Sequence, residues 1–305
     1  MISIIMLYAL YGSSFVISKI LLNNYTSPIF LAGARMTLAG AILLCYQYFY
    51  AREHFKFRWK HVKYYVQIIL LGIYANYILR FWALKSLTAP KAAFILCLAP
   101  FFSSIFSYYF FNEKLSRRQW FGLFVGFTGS IPILLTTSTT EQLFGEIAFI
   151  SLPELAMILA AACTSYSWII MRKLVRHKNY SPTMANGLTM FSGGLLALFT
   201  AIPLEGALPV KNPLPFFGWL MLIIIISNVI CRNIYTHLLK QYTATFMSFA
   251  ALLSPLFTAL YSWLFLGETV TWHFYLSSAM VLFGLYIFYK DELNGQTALV
   301  DKAAK

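Results

Sequence analysis

Two arginines within apolar stretches of the chain are the residues best suited to bind a ligand. Arg80 follows Asn76 by four residues, and Arg232 follows Asn228 by four residues with Asn233 beside it. Residues four apart share one face of a helix, and a guanidinium group binds a carboxylate or phosphate through two parallel hydrogen bonds. The pattern predicts two polar helix faces that meet across a cavity and bind an anionic group. A structural hydrogen-bonding role for both arginines is an equal alternative.

Hydroxyl and aromatic side chains on other apolar stretches complete the predicted site. Their rings can stack on a planar group or hold a cation over the π face. The chain has 28 Phe, 20 Tyr and 7 Trp, so any single ring is more often a membrane anchor than a ligand contact. The candidate residues are Ser13, Ser14, Tyr74, Tyr77, Ser165, Tyr166 and Trp168.

The composition identifies the class of protein that must hold these residues. Hydrophobic residues make up 60% of the chain, charged residues 11%, and the mean hydropathy is +0.70. Soluble domains carry about 25% charged residues, so the sequence predicts an all-α integral membrane protein. The net charge of +13 lies in short clusters between apolar runs, which argues against a nucleic-acid partner. The four cysteines have no CxxC spacing, and we predict no metal site and no cofactor.

An internal repeat sets the architecture. Adding 155 to Pro100 gives Pro255, and adding 155 to Glu113 gives Glu268, within matching stretches at 89–129 and 244–284. A second match with an offset of 154 relates 27–40 to 181–194. The repeat predicts two related halves, 1–140 and 150–290, joined by a linker at 141–149 and followed by a tail at 291–305.

Ten membrane-spanning helices follow from the apolar runs, since a span needs about 20 residues. Five spans in each half is an odd number, so the two halves are predicted to have inverted topologies. The first run has no basic segment before it and no cleavage site, so it reads as a span and not as a signal peptide. The predicted spans are 2–22, 29–50, 64–84, 90–111, 119–135, 150–171, 183–203, 214–237, 243–266 and 272–289.

The loops between these spans predict the orientation, because Lys and Arg concentrate on the cytoplasmic side. One set of segments holds most of the loop cations, and the opposite set holds only Lys85, Lys91 and Lys211. Both termini are therefore predicted to be cytoplasmic. The basic segments are 51–63, 112–118, 172–182, 238–242 and the tail from Lys290.

Five further residues within or beside the spans carry specific expectations. Pro100 and Pro255 remove a backbone hydrogen bond near the middle of their helices, which predicts a hinge beside the ligand path, with a packing kink as the alternative. Glu113 and Glu268 follow these helices and are expected to cap the next ones, with proton coupling as the alternative. Glu154 is the only acidic residue expected within a span; a role in coupling or in holding a cationic group is one expectation, and a position at the interface is the alternative.

A lysine near the end of the first span completes the charged set. Lys19 lies three residues from the predicted end of that span. Its long side chain is therefore expected to extend towards the membrane interface.

The paired Pro-then-Glu signature, the YGSSFVISK opening and Arg35 in the second span resemble the EamA family of the drug/metabolite transporter superfamily. The resemblance covers nearly the whole chain as two repeats. It implies ten helices, of which 1–4 and 6–9 line a central cavity while 5 and 10 lie outside them. It also implies movement of a small metabolite across the membrane without ATP, and a structural role for Arg35.

The resemblance and the two arginines together favour a secondary transporter that works by alternating access. An amino acid or amino-acid derivative such as S-adenosylmethionine is the expected substrate, with phosphorylated or nucleotide-linked solutes as the alternative. No Walker loop or common hydrolase motif occurs, so we do not expect an enzyme. A membrane enzyme acting on lipid and a scaffold are the other classes considered. The expected location is a bacterial inner membrane, and a homodimer stays open.

Overall fold

The computed structural model describes residues 2–50, 52, 58–112, 115–134, 146–147, 150–206, 209–240, 242, 244–267 and 272–303. Helices dominate this part of the chain, and a two-residue antiparallel hairpin of β1 (Glu146–Ile147) and β2 (Ile150–Ser151) precedes the second half. The helices are α1 (Ile2–Asn24), α2 (Pro28–Tyr50), α3 (Trp59–Ser86), α4 (Ala89–Phe111), α5 (Arg117–Leu134), α6 (Leu152–His177), α7 (Pro182–Glu205), α8 (Pro213–Leu238), α9 (244–266) and α10 (Trp272–Ala303).

Seven of these helices, α1–α4 and α6–α8, are long and apolar enough to cross a membrane. Shorter apolar helices occur at Ser254–Leu266 in α9 and Trp272–Phe288 in α10. The all-α membrane fold predicted from composition is confirmed. The count of ten spans remains a prediction. Glu113 and Glu268 lie outside the described residues.

Matched distortions interrupt the counterpart helices of the two halves. A π-helical segment runs over Ile68–Ala75 in α3 and over Ile224–Cys231 in α8. A 3-10 turn runs over Leu96–Leu98 in α4 and over Ala251–Leu253 in α9. Changes of helix type of this kind are common at functional sites, because they alter the direction of the side chains that follow.

Pro100 and Pro255 lie immediately after the two 3-10 turns. Each occupies the first turn of the α-helical segment that resumes there, where a missing N–H costs least. The two prolines therefore begin new helical segments and do not interrupt a continuous helix. A hinge at either position remains a prediction.

The two halves join most closely between α2 and α7, which run antiparallel. A Cβ atom on Gly40 would lie 2.3 Å from the backbone nitrogen of Phe191, and one on Gly194 would lie 2.3 Å from that of Thr37. Only glycine allows backbones to approach this closely. The sequence positions are counterparts, since Gly40 and Gly194 belong to the stretches related by 154.

Polar contacts hold both ends of the α2–α7 pair. The Glu205 carboxylate at the end of α7 accepts hydrogen bonds from the Ser27 hydroxyl at 2.6 Å and from the backbone nitrogens of Ile29 at 3.0 Å and Phe30 at 2.8 Å. It thereby satisfies N–H groups that the first turn of a helix leaves unpaired. At the opposite end the Ser181 hydroxyl contacts the Gln47 side chain at 3.1 Å.

Buried apolar side chains form two large clusters towards opposite ends of the helices. The first, called the α4-start cluster, includes Leu21, Leu31, Phe81, Leu84, Leu87 and Ala92. The second, called the α6-end cluster, includes Ile4, Leu7, Tyr65, Ile169, Leu174 and Phe246. A separate close contact joins α5 to α10, where a Cβ on Gly284 would lie 2.6 Å from the Gly122 carbonyl oxygen.

Candidate binding cavity

A cavity of about 130 Å³ lies between the two apolar clusters. Three helices of each half line it, namely α1, α3, α4, α6, α8 and α9. The π segment of α3 and both 3-10 turns contribute lining residues. Distorted parts of α3, α4 and α9 therefore contribute to the walls of the cavity, as membrane proteins tolerate irregular backbone where it lines a cavity.

Arg80 lies on the cavity wall with part of its hydrogen-bonding capacity unused. Its guanidinium carbon is 4.3 Å from the centroid of the Phe15 ring, which is also part of the wall. The buried Nε atom of Arg80 has no hydrogen-bond partner in the described part of the chain. An arginine held by a ring and short of acceptors is well suited to bind an anion that enters the cavity.

Arg232 also lines the cavity, but protein groups hold it more fully. Its Nε donates to the Asn186 Oδ1 atom at 3.2 Å and its Nη1 to the Tyr77 hydroxyl at 3.5 Å. Its guanidinium carbon lies 4.8 Å from the Trp168 ring centroid, and that ring is 4.3 Å from the Tyr235 ring. These three partners fix the position of the Arg232 charge against an aromatic wall.

Asn186 is the residue that links Arg232 to its surroundings, and the sequence analysis did not identify it. It is fully buried, and its amide nitrogen contacts Thr236 Oγ1 at 2.9 Å and Asn233 Oδ1 at 3.2 Å. Asn233 in turn donates to the Val229 carbonyl at 2.8 Å. Asn233 therefore supports the Arg232 site and does not itself line the cavity.

The arginine and tyrosine side chains of α3 and α8 have exchanged positions between the halves. Adding 155 to Tyr77 gives Arg232, and adding 155 to Arg80 gives Tyr235. All four residues line the cavity. The two halves thus contribute the same pair of chemical groups in opposite order along their helices.

Asn76 lies on the wall, whereas Asn228 does not. Asn76 accepts a hydrogen bond from Thr164 at 2.8 Å and donates to the Gly72 carbonyl at 3.1 Å. The Asn228 Oδ1 atom instead accepts from Arg35 Nε at 2.7 Å. The prediction that Asn228 shares a face with Arg232 assumed a regular α-helix. It fails because the helix changes from π to α geometry between the two residues.

Arg35 occupies a separate polar site within the core. It is buried, and besides Asn228 it donates to Ser227 Oγ at 2.8 Å and to Ser18 Oγ at 3.3 Å. It does not line the cavity. These contacts join α1, α2 and α8, as expected of the structural role that the family resemblance implied.

The remaining predicted residues differ in their placement. Trp168 and Tyr77 line the cavity, but Ser14 and Tyr166 do not. Ser14 is buried within α1, and the Tyr166 ring packs against Phe106 at 5.4 Å. Three other predicted residues, Ser13, Tyr74 and Ser165, are also absent from the wall.

An aromatic stripe on α1 is the wall feature that the sequence analysis missed. Tyr8, Tyr11 and Phe15 all line the cavity, and their spacing of three and four residues places them on one helix face. That spacing is visible in the sequence. It was overlooked because aromatic residues are so frequent in this chain.

Two charged residues, Lys19 and Glu154, lie near the α4-start cluster. Lys19 is only 8% exposed and donates to the Leu87 carbonyl, in the connection between α3 and α4; its extension towards the interface stays a prediction. Glu154 pairs with Lys91 at 2.8 Å, which selects the cation-holding alternative. Among the described residues no group of three His, Cys, Asp or Glu side chains is placed to hold a metal.

The model of the EamA-like transporter family matches residues 1–135 and 151–290. The chain belongs to this family. The family and its two repeats were predicted from the sequence, and both are confirmed. The protein is a multi-pass membrane transporter and not an enzyme, so the lipid-enzyme and scaffold alternatives are dropped.

Similar proteins within the family include several with names that state a substrate. A Chlamydia muridarum protein is 32% identical over 289 residues, covering 93% of this chain and 90% of its own, and is named an S-adenosylmethionine/S-adenosylhomocysteine transporter. A Chlamydia trachomatis serovar D protein with the same name is 31% identical over 293 residues, covering 93% and 87%. A solved crystal structure, 16% identical, matches 96% of both chains with a TM-score of 0.68, which shows the shared fold.

Proposed function

We propose that this transporter carries S-adenosylmethionine and S-adenosylhomocysteine. The observation that carries the proposal is a cavity in which two arginines face an aromatic wall, with no acidic partner for either among the described residues. The similarity to the two chlamydial relatives supports it. Both substrates combine an amino-acid head with a flat adenine ring. The cavity offers arginines for the head and aromatic side chains for the ring.

The wall suggests how such a molecule would bind. The carboxylate of the amino-acid head would bind Arg80, whose Nε lacks a partner, through charge-assisted hydrogen bonds. The adenine ring would stack on Trp168 and Tyr235, whose own rings pack against each other with their planes tilted by 36°. No Asp or Glu is among the residues of the wall, so the positive sulfonium of S-adenosylmethionine would find aromatic faces but no carboxylate there.

This wall predicts an order of affinities. S-adenosylhomocysteine has a neutral thioether in place of the sulfonium, so Arg232 does not repel it. We therefore expect S-adenosylhomocysteine to bind at least as tightly as S-adenosylmethionine. A phosphorylated solute would also satisfy the arginines, but it would leave the aromatic wall without a partner unless it carried a base.

Alternating access would move the substrate past this site. In the proposed cycle the two inverted repeats rock about their glycine-packed α2–α7 contact, and the distorted segments of α3, α4, α8 and α9 bend, with Pro100 and Pro255 as hinges. The proposed location is a bacterial inner membrane with both termini in the cytoplasm. The distribution of loop cations supports this orientation.

Counterflow in proteoliposomes tests the proposal without assuming a driving ion. Vesicles loaded with unlabelled S-adenosylmethionine should accumulate the labelled compound transiently and saturably. Unlabelled S-adenosylhomocysteine should compete, while methionine and adenosine, each with half of the molecule, should compete more weakly. Exchange of a sugar phosphate or a nucleotide with no exchange of S-adenosylmethionine would refute the proposed substrate.

A further inference from the structure

We infer that Lys91 and Glu154 form an ionic gate that closes the cavity at the α4-start end. The inference rests on the proposed transport cycle but not on the identity of the substrate. The pair joins the first half of the protein to the second, because Lys91 belongs to α4 and Glu154 to α6. Separation of the two halves at this end requires separation of the pair.

The pair is short and buried. The Lys91 Nζ and Glu154 Oε1 atoms are 2.8 Å apart, and the residues are 2% and 4% exposed. The second carboxylate oxygen accepts the backbone N–H of Ser151 at 2.7 Å. Glu154 is therefore fixed at the start of α6 by a capping interaction, and its free oxygen is directed at the lysine of the other half.

The position of the pair places it between the cavity and one end of the protein. Ala161 lines the cavity and lies seven residues after Glu154, which is two turns, or about 10 Å, further along the same face of α6. Ala93, two residues after Lys91, also lines the cavity. Apolar neighbours in sequence such as Ala92 and Ala156 belong to the α4-start cluster, so this end is packed around the pair.

Burial makes such a pair favour two states over any intermediate. In the closed state each charge has its partner within the low-dielectric packing, which offsets the cost of removing both from water. In an open state water would hydrate each charge separately, and an exposed pair contributes little. A partly open state would leave two separated charges that are still dry, which is the costly arrangement.

The opposite end of the protein has no equivalent charge at this position. Adding 155 to Lys91 gives Phe246, which is buried in the α6-end cluster and lies 5.2 Å from the Tyr242 ring. Phe246 is buried among apolar side chains, whereas Lys91 forms an ion pair at the corresponding position. Removal of one charge should therefore open the protein at the α4-start end only.

Accessibility of Cys97 measures the gate directly. Cys97 lines the cavity, is 7% exposed, and is a free cysteine. Replacement of the other three cysteines leaves it as the single target of a membrane-impermeant thiol reagent. The reagent is applied in sealed vesicles of known orientation, first from the side on which α4 begins and then from the opposite side.

Lys91→Met and Glu154→Gln each remove one partner of the buried ion pair between the halves, so each should favour the hydrated, open state. If the open form is a minor state of about 10% in the parent, the rate of Cys97 labelling from the α4-start side should rise about tenfold. Labelling from the opposite side should fall. The double variant Lys91→Met/Glu154→Leu, which removes both charges, should return the rate to the parent value or below it.

Lys85→Met is the matched control, because Lys85 is an exposed lysine near the end of α3, close in the chain to the start of α4. It should leave labelling unchanged. The gate is refuted if both single variants, shown to be folded by size-exclusion chromatography, label at the parent rate from both sides. It is also refuted if the rate rises equally on both sides. The two single variants and the double variant all test the gate, so the remaining variants still decide whether it exists if one of them fails to fold.

These experiments test the proposed gate and the proposed substrate independently. Cys97 labelling needs no substrate, so a gate can be found in a protein that does not exchange S-adenosylmethionine. Conversely, normal counterflow of S-adenosylmethionine by Lys91→Met and Glu154→Gln, with unchanged labelling, would remove the gate and leave the proposed substrate intact.

Discussion

Replacement of Arg80 by glutamine separates a ligand contact from a structural one. Arg80 has a buried Nε without a partner and stacks on Phe15 at 4.3 Å. Loss of the cation–π contact costs about 2 kcal/mol in a dry site. Relief of the buried Nε–H group that lacks a partner offsets this, since such a group costs about 1–3 kcal/mol. We therefore expect Arg80→Gln to leave the free energy of unfolding of the substrate-free protein unchanged or higher.

Affinity for the substrate should respond in the opposite direction. Truncation of one member of a buried, hydrogen-bonded charge pair costs about 2–5 kcal/mol. At 1.4 kcal/mol for each factor of ten, the dissociation constant should rise by about 30- to 4,000-fold. Arg80→Lys keeps the charge but loses bidentate geometry, and should fall between the parent and Arg80→Gln.

Two measurements on each variant test this reasoning. Counterflow over a range of S-adenosylmethionine concentrations gives the apparent affinity, and thermal unfolding with and without substrate gives the stabilisation by ligand. Arg232→Gln is the comparison, because it leaves the Asn186 Oδ1 atom without the donor seen at 3.2 Å and should cost about 1–3 kcal/mol of stability. Parental affinity in Arg80→Gln, or an equal loss of stability in both variants, would refute the assignment of Arg80 to the ligand.

Three further substitutions test other parts of the structure. Arg35→Gln breaks a buried set of three hydrogen bonds and should lower the melting temperature of the substrate-free protein by several degrees; a protein as stable as the parent would contradict its structural role. Trp168→Leu should weaken binding of S-adenosylmethionine about 10-fold or more by loss of ring stacking, as measured by counterflow, while methionine competition stays the same. Gly194→Val places a side chain 2.3 Å from the Thr37 nitrogen and should abolish recovery of folded protein on size-exclusion chromatography, whereas Gly218→Ala, with open space around it, should not.

The internal repeat made the membrane fold predictable from the sequence, whereas the contacts between the two halves could not be predicted from it. Offsets of 154 and 155 residues related both halves, and the composition required a membrane. Arg80 and Arg232 were assigned to one cavity because charged side chains in apolar helices must face water or each other. The pairing of Lys91 with Glu154, 63 positions apart in sequence by the two residue numbers, depends on packing that no local pattern encodes.

Changes of helix type account for the clearest error within the site. Asn228 and Arg232 are four residues apart, and regular spacing places them on one face. The π segment Ile224–Cys231 ends between them, and Asn228 turns to Arg35 instead. An apolar run such as IIISNVIC carries no signal for π geometry, because its stability comes from tertiary contacts. Asn186 was missed for a related reason, since a single asparagine beside a glycine is unremarkable without its partners.

The contact between Glu205 and the start of α2 has a consequence for how the protein is synthesised. The carboxylate caps backbone groups of Phe30, which lie 175 residues earlier. At about 5–20 residues per second, the ribosome needs about 10–35 seconds to make the intervening chain. During that interval α2 is in the bilayer without its cap and without the glycine face of α7. The first repeat is thus not an independent folding unit. In a nascent chain that stalls before α7, the first turn of α2 keeps its N–H groups uncapped, and cellular quality control can recognise such a helix.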